Sequence, residues 1–134
     1  MRKRSVRRAS AKQLGAGMLN EVFLPAQVAL GLLDTRHFRA DQATELAFFL
    51  DLAQLVATDR RNAAVCRAAG QAMSILIRLR DKGVETGDWG LGESDRQHLI
   101  DAIVVAEHFL RGLRPVALAR ALQKLMDWSS PEKA

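Results

Sequence analysis

Residues 41–58 read DQATELAFFLDLAQLVAT, and the reading of this stretch decides the fold class. Leu46, Phe49, Leu50, Ala53, Val56 and Ala57 recur at the i, i+3, i+4, i+7 spacing of one helical face. Asp41, just ahead of them, can accept a hydrogen bond from the free amides of a first turn. A helix opening there and running to about Thr58 is therefore expected. Phe48, Leu52 and Leu55 widen the apolar arc until only Thr44, Asp51, Gln54 and Thr58 remain as a thin polar stripe. A helix apolar around that much of its girth is either the centre of a bundle or a surface that another subunit covers.

The flanking segments continue in the same idiom. Upstream, residues 14–33 are apolar with small residues, and Pro25 suits the first turn of a short helix ending near Leu33. Residues 18–24 add a separate helical turn before it. Downstream, Asp59-Arg60-Arg61-Asn62 is a polar break. Val65, Ala69, Ala72, Leu76 and Leu79 then form a seam, with Arg67, Gln71, Ser74 and Arg78 on the wet side. Gly83 is expected to end this helix. Residues 84–92 form the one substantial interior loop, with Trp89 among its glycines. Ser94 and Gln97 have the spacing of a capping box, in which each side chain satisfies a first-turn amide. Leu99, Ile103, Ala106, Leu110 and Leu113 make the core face of the next helix. Pro115 starts a last one, whose expected inner face is Val116, Ala119, Leu122 and Met126.

This pattern predicts an all-α fold, a compact antiparallel bundle of about five helices with a disordered basic N-terminal arm. The expected divisions are a basic flexible arm over residues 1–13, one helical domain over 14–128, and a tail without order over 129–134. At 134 residues the chain suits a single domain with its own core. Its 49% hydrophobic and 26% charged residues are ordinary for a globular protein.

Charge is unevenly distributed. Arg2, Lys3, Arg4, Arg7, Arg8 and Lys12 put six cations and no acid into the first twelve residues, while the remaining 122 carry 14 basic against 15 acidic residues. The pI of about 10.1 is thus the property of an arm. Those six residues are the candidate contacts to phosphate or nucleic acid. The body behind them is almost neutral and offers no aromatic stacking platform. The arm's composition also meets that of a mitochondrial presequence, and Arg7-Arg8-Ala9-Ser10 has the form of a basophilic kinase site. The run from Leu14 to Leu19 is too short for a secretory core. No apolar run approaches the ~20 residues of a membrane span. The single Cys66 cannot make an internal disulfide, which suits a reducing cytoplasm.

Sites of chemistry are sparse. His98 and His108 fall on one side of a helix, yet ten residues at 1.5 Å each separate them by ~15 Å, too far to share one metal ion. Cys66 lies near a helix start beside Arg67 but has no neighbouring base and orienting acid, and a small buried hydrophobe accounts for it. The glycines at 83, 87, 90 and 92 match neither GxxxxGK[ST] nor GxGxxG and follow no strand. Trp89 is best read as a loop anchor over the core. Were it exposed, it would be a binding hot spot. No catalytic residue, metal or cofactor is expected, and the candidate protein interface is Phe48, Leu52, Leu55 and Trp89.

Arg2-Lys3-Arg4-Ser5, the Arg39-Ala40-Asp41 helix opening, and Thr86-Gly87-Asp88-Trp89 followed by Glu93 together resemble small uncharacterised helical proteins of proteobacterial phages and mobile elements. Residues 13–24 depart from that pattern. The resemblance implies an accessory gene and a binder in preference to an enzyme, and it carries no site residues. The expectation is a non-catalytic interaction protein, self-associating as a homodimer or acting on a host protein. The alternative is a nucleic-acid-binding accessory protein that uses the arm.

Overall fold

A computed structural model describes residues 19–129, and all of the regular structure among them is helical. A wide helical turn at Leu19–Phe23 leads directly into α1 (Leu24–Gly31). It is followed by α2 (Ala40–Asp59), α3 (Ala63–Thr86), α4 (Glu93–Arg111) and α5 (Pro115–Ser129). Each of α1 to α3 packs against the helix that follows it in the chain. No helix among the described residues is long and apolar enough to cross a membrane.

α2 is the hub, packing against α1, α3, α4 and α5. Leu46, Phe49, Leu50, Leu52, Ala53, Val56 and Ala57 are all buried, so the broad apolar arc is covered by the chain's own helices. Phe23 meets Phe49 edge-on at 5.9 Å between ring centroids. Around the outside of that contact, the Arg111 guanidinium lies 4.3 Å from the centre of the Phe23 ring. Glu107 accepts hydrogen bonds from Arg111 Nε at 3.0 Å and Gln27 Nε2 at 2.7 Å. This network ties the end of α4 to α1.

Several helix boundaries differ from expectation. α2 opens one residue before Asp41, with Arg39 in extended conformation at the cap, and the Arg39 amide donates to Gln42 Oε1 at 2.9 Å. Asp41 is instead a first-turn acid, favourable at the positive end of the helix dipole. α3 does start as the polar break implies, with Asn62 Oδ1 accepting from the Val65 amide at 3.1 Å. It runs past Gly83, however, and stops at Gly87, whose φ of 75° is the left-handed conformation that glycine adopts without strain. Gly83 is buried mid-helix because the Trp89 indole lies where a Cβ would be. The capping box at Ser94 and Gln97 does not form. α4 begins at Glu93 after an extended Gly92, with no side-chain cap, and Gln97 donates to Asp101 instead. Asp34 anchors this end, accepting from the Leu91 amide at 3.0 Å and pairing with Arg96 at 3.2 Å.

The largest correction concerns α5. Leu118 and Leu125 are its buried residues, while Val116 and Met126, assigned to the inner face, are 63% and 54% exposed. Ala119, Ala121 and Leu122 also pack against the core, so one apolar arc runs along this helix, centred near Leu118, Leu122 and Leu125, and Val116 and Met126 lie at its edges. Its main packing partner is α2 rather than α4, the helix that precedes it.

Candidate functional site

Asp51, Gln54, Leu55 and Thr58 stand at i, i+3, i+4 and i+7 on α2, the stripe that the other helices leave uncovered. α5 crosses beside it, and Leu125 and Trp128 form the opposite wall. Together the six residues enclose an open groove of about 450 Å³. Its floor is apolar, from Leu55 and the buried Leu125. Trp128 stands up at the rim with 66% of its surface exposed.

The polar groups of the groove are unequally satisfied. Thr58 Oγ1 donates to the Gln54 carbonyl at 2.8 Å and lies 3.4 Å from Cys66 Sγ. Lys124 is shared between Asp59 at 3.9 Å and the Trp128 ring, whose centroid is 5.4 Å from its ammonium. Asp51 has no ion-pair partner among the described residues. Desolvation by burial pushes its carboxyl above the ordinary aspartate range. A carboxylate beside Leu55 and an exposed indole suits a cation that brings apolar surface with it.

The residues singled out from sequence fall in different places. Arg2, Lys3, Arg4, Arg7, Arg8 and Lys12 lie outside the described residues. Leu55 lines the groove, and Phe48 is half-buried against the core. Leu52, with no exposed surface, and Trp89, 9% exposed, offer nothing to a partner. Leu52 is enclosed because α2 is surrounded by four helices. Trp89 is held against Gly83 and Phe38, with 6.3 Å between its ring centroid and that of Phe38. The loop anchoring Trp89 is braced by Lys82, which reaches the Gly90 carbonyl and Asp88.

No family model matches this chain, and neither the curated proteins nor the solved structures contain a match to it.

Among the described residues no group of three His, Cys, Asp or Glu side chains comes together to hold a metal ion. His37, His98 and His108 are all exposed, and His98 Nδ1 is engaged with the Ser94 carbonyl at 2.8 Å. Asp51, Gln54, Thr58, Leu125 and Trp128 were not singled out as site residues from sequence. Asp51, Gln54 and Thr58 are visible there as a polar stripe on an otherwise apolar helix. Nothing local shows that the end of α5 stands over them.

Proposed function

We propose that this chain is a non-catalytic helical interaction protein, an accessory factor of the phage or mobile-element kind acting on a host protein, with the α2–α5 groove as its contact face. The observation that carries this reading is Trp128, a large aromatic exposed on the rim of an apolar-floored groove, since tryptophan is enriched where partners bury a small patch. The partner chemistry that fits is a polypeptide segment bearing a Lys or Arg beside apolar side chains, the cation meeting Asp51. The phage and mobile-element part rests on the sequence resemblance alone. Affinity capture with the wild-type chain, Trp128→Ala and Asp51→Lys tests the face. A partner held by the wild type and lost with both variants supports it, and equal retention by all three overturns it.

Homodimerisation has less support than the sequence suggested, because the apolar arc of α2 is enclosed within the chain. Apolar surface left for self-association includes exposed Val116, Met126 and Trp128 on α5 and exposed Leu24 and Val28 on α1. Light scattering at micromolar concentration reads this directly. Nucleic-acid binding is the second reading, favoured by six cations in twelve residues. Contact by all six gives a log–log salt slope of roughly −4 to −5. A chain without residues 2–12 should lose that affinity.

A further inference from the structure

We propose that the uncovered side of α2 is the seam for a basic amphipathic helix of another protein, laid along Asp41, Thr44, Phe48, Asp51, Leu55 and Thr58. This rests on the α2–α5 groove being a contact face, and it adds what kind of segment docks and how far along α2 it reaches.

Spacing is the first support. These positions lie alternately three and four residues apart, which keeps them on one side of a helix and is the repeat by which two helices mesh. Asp41, Thr44, Asp51 and Thr58 are exposed and Phe48 and Leu55 half-buried, so α2 keeps this side open over about 25 Å, at 1.5 Å for each residue. α5 stands beside its second half, where Leu125 and Trp128 line the groove with Asp51, Leu55 and Thr58. Phe48 and Leu55, one heptad apart, give the seam an apolar pair that a face built for water alone does not need. Charge is the second support. α2 carries Asp41, Glu45, Asp51 and Asp59 and no basic residue, although the chain beyond residue 12 is close to neutral. Asp59 is paired with Lys124, whereas the carboxylates of Asp41 and Asp51 have no ion pair among the described residues. Acids on the seam repel phosphate and attract Lys or Arg. A helical partner brings its backbone already hydrogen-bonded to a surface, α2, whose own main chain is satisfied within the helix. The fitting segment is a helix with apolar side chains at heptad spacing against Phe48 and Leu55, and a Lys or Arg near Asp41 and near Asp51.

The test uses the full chain and a labelled synthetic peptide of about 18 residues, long enough to cover the seam as a helix. The peptide has Leu at heptad spacing on one face and Lys beside it, and its anisotropy reads binding. Two controls are a shuffled peptide of the same composition and one with Glu in place of Lys. The amphipathic basic peptide should bind and the two controls should not. Asp41→Lys and Asp51→Lys, both at exposed positions, should each weaken binding by roughly five- to tenfold. Glu85→Lys, the same charge change on the exposed surface of α3, should alter it less than about twofold. The proposal is overturned if the amphipathic peptide does not bind, if the shuffled peptide binds as well, or if Glu85→Lys weakens binding as much as Asp41→Lys. A dimer in sedimentation that Asp41→Lys dissociates marks a second copy as the occupant and overturns it too, as does binding that appears only after residues 2–12 are removed. Binding weakened by Asp51→Lys and Trp128→Ala but not by Asp41→Lys overturns the seam and leaves the groove reading standing. Binding indifferent to Trp128→Ala and weakened by Asp41→Lys supports the seam and overturns the role given to Trp128.

Discussion

Gly83 illustrates how one missing side chain shapes this molecule. A methyl group there would overlap the six-membered ring of Trp89, so Gly83→Ala is expected to lower stability by about 1–3 kcal/mol. The change should appear as a lower urea midpoint at an unchanged slope. Two aspartates set opposite pH trends. Asp51 has a raised folded-state pKa, so its contribution favours the fold below the unfolded value and is lost as pH rises through the folded one. Asp51→Asn should therefore raise the urea midpoint at neutral pH and have no advantage near pH 3. Asp88 behaves in reverse, because the Gly90 amide and Lys82 lower its pKa. Its contribution is present above the ordinary aspartate range and fades as pH falls through the lowered value.

At the scale of helices, periodicity located every α-helix among the described residues but was a weaker guide to their ends and faces. The seam Val65, Ala69, Ala72, Leu76 and Leu79 is buried as the spacing implies, because α3 has one dominant apolar stripe. α5 also has one apolar arc, but it is broad, and the expected face through Val116, Ala119, Leu122 and Met126 took one edge of it for its centre, which lies near Leu118 and Leu125. The correct register is open to a direct test. Leu118→Ala and Leu125→Ala should each cost about 2–4 kcal/mol. Val116→Ser and Met126→Gln should stay within about 0.5 kcal/mol of wild type in the same denaturation series. Helix starts were misjudged for a related reason. Ser94 and Gln97 have a capping spacing, but the Asp34 contacts to Leu91 and Arg96 bind the α4 start to the α1–α2 connection, and the cap falls two residues earlier, at Gly92.

The whole molecule separates charge from structure: the described bundle is close to neutral, and the cations concentrate in residues 2–12. Removing that segment should leave the helical circular dichroism nearly unchanged, since the buried residues of the described bundle run from Val22 to Leu125. Local sequence determined the all-α class, the number of α-helices, the α3 seam and the charge asymmetry, because each is set by spacing or composition within one segment. Tertiary structure alone decided that α2 is enclosed by its own chain, that Leu52 is buried, and that Trp128 overlooks Asp51. The physical reason is that an apolar stripe specifies a side chain's need for burial without naming the surface that meets it. Which surface does so depends on how the other helices pack around α2.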